Sequence, residues 1–193
     1  MNKLLKFLKM NRYEKALSVC RNTYYFFNKR KFAELGKHSY IMKPLYLAGC
    51  KYIHIGTNSG IWHRARIEAI DQWNGHKFTP ELSIGDNVII GQHCHIACAE
   101  SIIIEKDVLF SSRVFITDLA HKTDNLTIGV LDQDIVTKPV LICEGAFIGI
   151  NVSILPGVRI GKHSVVGANS VVTKDVPDYA TVAGAPAREV HRS

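Results

Sequence analysis

The sequence predicts a mainly β protein, a parallel β-helix built from six-residue repeats with a short helix before it. Three observations predict this fold. Aliphatic residues recur at every sixth position, a glycine often follows them, and the longest series has no break: Ile142, Ile148, Ile154, Ile160, Val166 and Val172. A helix repeats every 3.6 residues and a two-sided strand every two, so neither explains the pattern.

Each hexad can supply one short strand and one corner, so three hexads close a triangular turn. Turns then stack at the strand spacing of roughly 4.8 Å, and the aliphatic side chains form an inward column that no single repeat could bury. A sandwich of short strands is the alternative, but six consecutive hexads in one register count against it. Shorter series precede the long one: Ile41, Leu47, Ile53; Ile55, Ile61, Ile67; Ile84, Ile90, Ile96; Ile104, Phe110, Ile116.

The N-terminal segment, residues 1–37, is predicted to be helical and basic. Apolar residues recur at helical spacing through residues 3–35, and Gly36 suits the end of the helix. Residues 1–40 hold ten Lys and Arg against two Glu, a net charge of +8. Such a helix can pack on its own coil or on a neighbouring copy, or it can rest on an anionic membrane surface.

The coil is predicted over residues 38–176, and a loop-like tail, residues 177–193, follows from Pro177 onward. Two gaps in the repeat predict excursions from the coil, at about residues 71–81 and 118–139. Loops of this length in a compact domain are usually functional or disordered, and a rigid scaffold can present chemistry on such loops.

Composition excludes several classes of protein. With 47% hydrophobic and 21% charged residues among 193, the chain is neither disordered nor low in complexity. It holds no uncharged apolar run of the ~18 residues that a membrane span needs, and lysines interrupt any secretory leader. Five cysteines without paired spacing suggest reduced thiols in the cytoplasm. Nucleic-acid binding is not expected, because the basic residues are confined to one segment.

The C-terminal third resembles a known family. The stretches GVRIGKHSVVGANSVVTKDVP and VAGAPAR are similar to those of the hexapeptide-repeat acyltransferases, above all the sugar and surface-polysaccharide O-acetyltransferases. The resemblance covers roughly residues 38–190. It implies a left-handed coil, a homotrimer, acetyl-CoA as co-substrate in a groove between two coils, a loop histidine as general base, and no metal.

His121 is the predicted base. It lies where the longer excursion leaves the coil, and its register matches the catalytic histidine of the family. Many relatives carry HxH here, whereas this chain has Leu119 at the first position, which favours His121 as the sole base. A free imidazole has a pKa of roughly 6.5 and can take a proton from a hydroxyl near neutral pH. Asp118 is expected to orient or polarise its ring.

The resemblance also implies residues for the two substrates. Ala168 matches the backbone that bonds pantetheine, Thr173 flanks the adenosine end, and Lys174 and Arg188 match contacts to phosphate. Ile150 stands where relatives often have serine, so it would contact the donor through backbone only. On the acceptor side, Glu68, Asp71 and Trp73 lie near the first excursion, where an aromatic ring and carboxylates suit a sugar. The acceptor is expected to be a glycan that the sequence does not specify.

Other functions remain open at this point. The same transfer could go to the amine of an amino sugar. A γ-type carbonic anhydrase would need three histidines on zinc; His93, His95 and His121 suggest it, but the spacing of that family is missing. A non-catalytic scaffold would bind no CoA. The expected location is the cytoplasm, with peripheral contact to the inner membrane face if the basic helix binds lipid.

Overall fold

The computed structural model describes residues 12–190. One α-helix, α1 (Arg12–Asn28), leads into a left-handed parallel β-helix with three flat faces, here called A, B and C. This confirms the fold that the six-residue period predicts. No helix in residues 12–190 is both long and apolar enough to cross a membrane.

Each face is a stack of short strands, and the chain visits the faces in the order A, B, C. Face A holds six parallel strands: β1 (Glu34–Leu35), β4 (Ile53–Ile55), β9 (Glu81–Ile84), β12 (Ser101–Ile104), β17 (Val140–Ile142) and β20 (Arg159–Ile160). Face B holds eight: β2 (Tyr40–Ile41), β5 (Gly60–Ile61), β10 (Ile89–Ile90), β13 (Leu109–Phe110), β18 (Phe147–Ile148), β21 (Val165–Val166), β23 (Thr181–Gly184) and β24 (Ala187–Glu189). Face C holds six: β3 (Tyr46–Ala48), β6 (Arg66–Ala69), β11 (His95–Cys98), β14 (Phe115–Thr117), β19 (Ser153–Ile154) and β22 (Val171–Val172).

The core is the inward column of aliphatic side chains. On face B, Ile90 pairs with Ile61 below and Phe110 above, and all three are at most 2% exposed. Fully burying an aliphatic side chain of this size stabilises a fold by about 1.5–3 kcal/mol. Because each turn contributes three or more such residues, the column accounts for the stability of strands that are only two to four residues long.

The corners turn through left-handed backbone at polar residues. Asn58, Asn87 and Asp107 stack in successive turns with φ of 57°, 56° and 61°. Asn and Asp tolerate this region better than other non-glycine residues. Asn87 Nδ2 donates to Asp107 Oδ1 at 3.0 Å, and Asn58 Nδ2 donates to Asn87 Oδ1 at 3.4 Å. The corners are therefore tied to each other along the coil.

Every break in the six-residue period falls at one edge, between faces C and A, here called the C–A edge. The two long breaks form hairpin 1, made of β7 (Gln72–Trp73) and β8 (His76–Lys77), and hairpin 2, made of β15 (Leu119–His121) and β16 (Ile135–Thr137). A 3₁₀ helix, Val130–Asp132, lies in the loop of hairpin 2. The shorter breaks include a second 3₁₀ helix, Cys50–Tyr52, and the turn at residues 98–101.

Helix α1 packs against the first turn of the coil. The Arg21 guanidinium lies 4.7 Å from the centre of the Tyr40 ring, and Tyr24 packs against the core. The helix ends at Asn28, earlier than predicted, and the predicted residues 3–11 lie outside the described part. The role predicted for Gly36 is wrong: it lies after β1 against the backbone of Gly56, where a Cβ would collide.

The coil continues further than the predicted boundary at residue 176. Val176 bridges to Ile160, and β23 adds a parallel strand to β21 before β24 turns back antiparallel against it. The prediction of a loop-like tail is therefore wrong for these residues. Short turn bonds, such as Ala180 N–H to the Pro177 carbonyl at 3.3 Å, let the chain regain the coil after a proline.

Candidate active site

The two hairpins meet on the C–A edge. They leave the coil two turns apart, with the turn at residues 98–101 between them. Such a shared edge brings together segments that are more than 40 residues apart in the chain. The residues that link the two hairpins define the candidate site.

His121 of hairpin 2 lies against Trp73 of hairpin 1. Their ring centres are 4.9 Å apart at an interplanar angle of 66°, an edge-to-face contact. The Trp73 indole Nε1 donates to the Gln133 carbonyl at 3.0 Å, and Asn74 Nδ2 donates to the same oxygen at 2.8 Å. His76 Nε2 and Asp134 Oδ1 are 3.2 Å apart. Hairpin 1 therefore holds one side of the predicted base in a defined position.

Gln133 fixes the loop of hairpin 2 from the inside. It is only 6% exposed, and its side-chain amide exchanges two hydrogen bonds with the backbone of Asn125, at 2.9 and 3.1 Å. Its backbone carbonyl accepts the hydrogen bonds from Trp73 Nε1 and Asn74 Nδ2. Sequence reasoning missed this residue, because nothing in its neighbourhood repeats or matches a motif.

Asp118 takes a different place from the one predicted. It is fully buried, and its carboxylate accepts backbone N–H groups of Ala99, Glu100 and Ser101 at 2.7–2.8 Å. Both oxygens are thus directed at the turn below hairpin 2 and not at His121. Burial and the nearby Asp118 charge raise the pKa of the Cys98 thiol. The contacts favour a scaffolding role for Asp118 over orientation of the imidazole.

Glu68 and Asp71 also have partners of their own. Glu68 Oε1 lies 2.7 Å from Arg66 Nε and 3.1 Å from His95 Nε2 on face C. Burial by itself would raise the pKa of Glu68, but the hydrogen bonds from these two partners outweigh it and lower the pKa. Asp71 pairs with Lys51 at 3.1 Å. Of the three predicted acceptor residues, only Trp73 contacts the predicted base.

The predicted donor residues fall on two different edges of the coil. Ile150 and Ala168 occupy successive corners between faces B and C, and the Asn169 N–H donates to the Ile150 carbonyl at 2.8 Å. Arg188 joins this edge, because it pairs with Ala183 in the β23–β24 ladder. Thr173 and Lys174 follow β22 and are exposed on the C–A edge, the edge that also carries His121. A single chain therefore does not gather all five residues into one groove.

Residues 12–190 bring no three His, Cys, Asp or Glu side chains together in a way that could hold a metal ion. His95 is engaged with Glu68, and His93 stands at an exposed corner with φ of 60°. Within residues 12–190 of one chain, His93, His95 and His121 therefore form no metal-binding group.

Comparisons with known proteins agree on one family. Residues 139–174 match the bacterial transferase hexapeptide repeat (six repeats). The chain is 39% identical over 156 residues to Escherichia coli WbbJ, a lipopolysaccharide biosynthesis O-acetyl transferase by name; the match covers 77% of this chain and 76% of WbbJ. Identity to the galactoside O-acetyltransferase of Lactococcus lactis is 32% over 159 residues, 82% of this chain and 62% of that enzyme. A longer Mycobacterium tuberculosis protein, named as an acetyltransferase, is 38% identical over 109 residues, which are 36% of its length and 56% of this chain.

Solved structures share the fold. The hexapeptide-repeat acetyltransferase VCA0836 of Vibrio cholerae, in complex with acetyl-CoA, superposes with a TM-score of 0.56 at 26% identity, over 92% of this chain and 83% of that one. The N-acyltransferase AntD of Bacillus cereus, bound to dTDP and 3-hydroxybutyryl-CoA, reaches a TM-score of 0.71 over 86% of this chain and 85% of its own. Its 22% identity shows likeness of fold alone.

Proposed function

Because the chain belongs to the hexapeptide-repeat family of acetyltransferases, we propose that it transfers an acetyl group from acetyl-CoA to a hydroxyl of a sugar or surface-polysaccharide precursor. The observation that carries the proposal is the placement of His121. Its exposed imidazole stands at the junction of the two hairpins, on the same edge as Lys174.

His121 acts as the general base. Its imidazole takes the proton of the acceptor hydroxyl while that oxygen attacks the thioester carbonyl of acetyl-CoA. The tetrahedral oxyanion collapses, the C–S bond breaks, and the CoA thiolate leaves with the proton returned by the imidazolium. Such a base contributes typically ~10²–10⁴-fold to the rate. The contact with Trp73 helps because it restricts the orientation of the ring before the substrate arrives.

The donor site is shared between two copies of the chain in a homotrimer. Apolar side chains point outward from face B at Ile89, Leu109, Phe147 and Val165, and Leu109 and Phe147 are 44% and 40% exposed in the single chain. Face C instead carries the polar cluster of Arg66, Glu68 and His95. If faces A and B of neighbouring copies meet, the edge with Ile150 and Ala168 in one copy comes close to the edge with Lys174 and His121 in the next.

Equilibrium sedimentation tests this assembly. We expect a mass three times the 21.6 kDa of the chain. We expect Phe147→Asp to shift the protein toward monomers, while Phe115→Asp, the same change on the outer side of face C, does not. A monomeric wild-type protein at micromolar concentration would contradict the shared site.

The basic helix is proposed to hold the enzyme at an anionic membrane surface. Helix α1 packs through Arg21 and Tyr24 and leaves Val19, Phe26 and Phe27 exposed by 56%, 68% and 71%. Each Lys or Arg near an anionic surface contributes about 1 kcal/mol, an attraction that salt weakens. Flotation with anionic and neutral vesicles tests this: only anionic vesicles should bind, and Phe26→Ser with Phe27→Ser should weaken binding without dissociating the trimer. Equal binding to both vesicle types, or none, would contradict it.

The transfer itself is tested with His121→Ala in a panel of sugars, amino sugars and lipid-linked glycans, read by thiol release and mass spectrometry. We expect kcat to fall at least ~10²-fold while CoA affinity stays within a few-fold. Near-normal turnover would remove His121 from the mechanism. Products acetylated on an amine instead of a hydroxyl would indicate N-acetyl transfer. A wild-type protein that does not bind CoA would favour the alternative of a non-catalytic scaffold.

A further inference from the structure

A cleft lies between the two hairpins, beside the strand that carries His121. It encloses about 260 Å³, and its walls include Lys77 and Phe78 of the first hairpin segment and Lys122, Asp134 and Ile135 of the second. Lys122 directly follows His121, and Ile135 is the cross-strand partner of His121 in the β15–β16 ladder. A molecule held in this cleft is therefore next to the strand that carries the proposed base.

The charge of the cleft is positive. Two lysines outnumber its single carboxylate, Asp134, whose partner His76 lies 3.2 Å away. Lys77 and Lys122 are both exposed, and neither has an ion-pair partner among residues 12–190. Lys77 and Lys122 thus line a space whose one carboxylate already has a partner in His76. Lysine suits phosphate and carboxylate groups as a point charge with three donors.

Part of the cleft wall is apolar. Phe78 is half-buried and Ile135 is buried, at 7% exposure. Aromatic and aliphatic surface next to a few charged groups is typical of small-molecule sites, although this volume is below the ~300–1,000 Å³ of drug-sized ligands. It suits one sugar ring, whose apolar face can lie on Phe78, with one charged substituent.

We propose that this cleft is the acceptor subsite and that the acceptor is an anionic sugar, one that carries a phosphate or a carboxylate group held by Lys77 and Lys122. The inference rests on the proposed acetyl transfer. It adds a substrate class, because a neutral glycan has no group for the two lysines.

Direct binding tests the subsite independently of turnover. Calorimetry with the full-length protein in the presence of CoA compares a hexose 1-phosphate, a hexuronic acid and a neutral methyl hexoside, and His121→Ala allows the same titrations without reaction. We expect at least one anionic sugar to bind at least ~10-fold more tightly than the neutral one, a preference that fades as salt screens the charges. The phosphate and carboxylate arms identify which anion the cleft prefers.

Variants assign the effect to the cleft. Lys77→Gln with Lys122→Gln should raise the Kd and KM for the anionic sugar at least ~10-fold while the KM for acetyl-CoA stays within twofold. Lys31→Gln with Lys43→Gln removes two positive charges as well, at exposed positions beside the first turn of the coil, and should have no effect.

Equal affinity for neutral and anionic sugars, or an unchanged Kd in the double variant, would overturn the subsite and leave the acetyl transfer standing. Full activity of His121→Ala, by contrast, would overturn the mechanism and leave the binding result standing.

Discussion

Replacement of Asp118 should destabilise the edge that carries the active site. Its buried carboxylate accepts three backbone N–H groups, of which the Ala99 N–H is buried and those of Glu100 and Ser101 are partly buried. In Asp118→Ala all three donors lose their acceptor. In Asp118→Asn one oxygen can still serve two of them, but the new NH₂ group faces the third donor.

The expected magnitude follows from the burial of these donors. A buried donor left unsatisfied costs about 1–3 kcal/mol, and partly buried donors can recover some of that from water. We expect Asp118→Ala to lose about 3–5 kcal/mol of unfolding free energy and Asp118→Asn about 1–3 kcal/mol. For a chain of this length, 1 kcal/mol moves the Tm by about 2–4 °C, so the Tm should fall by about 6–20 °C and about 2–12 °C.

Thermal unfolding at one fixed protein concentration measures this, because dissociation of an oligomer would otherwise shift the Tm. Asp124→Asn, an exposed position in the same hairpin, is the matched control and should stay within about 1 °C. A Tm for Asp118→Asn equal to that of the control would refute the scaffolding role. If Asp118 oriented His121 instead, the pH profile of kcat/KM would shift in a variant that remains fully stable.

Three further outcomes are expected. Lys174→Ala should raise the KM for acetyl-CoA with kcat recovered at high donor concentration; an unchanged donor KM would remove Lys174 from the site. The lowered pKa of Glu68 means that its contribution to stability is complete above its ordinary pKa of 4.5 and is lost as the pH falls below that value. The free energy of unfolding should therefore fall less steeply with decreasing pH in Glu68→Gln than in the wild-type protein. An identical pH dependence in the acid range would contradict this. Burial raises the pKa of Cys94 to about 11, so alkylation of the folded protein near neutral pH should label exposed Cys20 and leave Cys94 unmodified, as peptide mass spectrometry can check.

The positions of the two gaps in the repeat predict that both hairpins leave the coil at the same edge. Hairpins 1 and 2 begin after Ile67 and Ile116, each the third hexad of a turn. Because six hexads, or two full turns, separate the two gaps, both must leave the coil at the same edge. Counting hexads in threes thus predicts that the hairpins are neighbours, although it does not predict which side chains meet.

The roles of several candidate residues depend on contacts that their spacing in the sequence does not predict. Asp118 is next to hairpin 2 in the sequence, yet its carboxylate faces the turn at residues 98–101 of the preceding turn of the coil. Trp73 has the chemistry of a sugar platform, yet its indole N–H is used by Gln133, 60 residues away. Lone polar side chains follow local geometry and the nearest unsatisfied backbone group, so residue type alone could not assign their partners.

The six-residue period is sufficient to predict the coil, its register and the positions where the chain leaves it, because burial of a column with a fixed period leaves one arrangement that hides every aliphatic side chain. The arrangement of the excursions is visible only in the folded chain: the contact between Trp73 and His121, the cleft between Lys77 and Lys122, and the separation of Lys174 from Ala168 onto different edges. Those features arise where hairpins that follow no repeat pack against each other, and such packing depends on shape and hydrogen-bond geometry that a hydrophobic pattern does not carry.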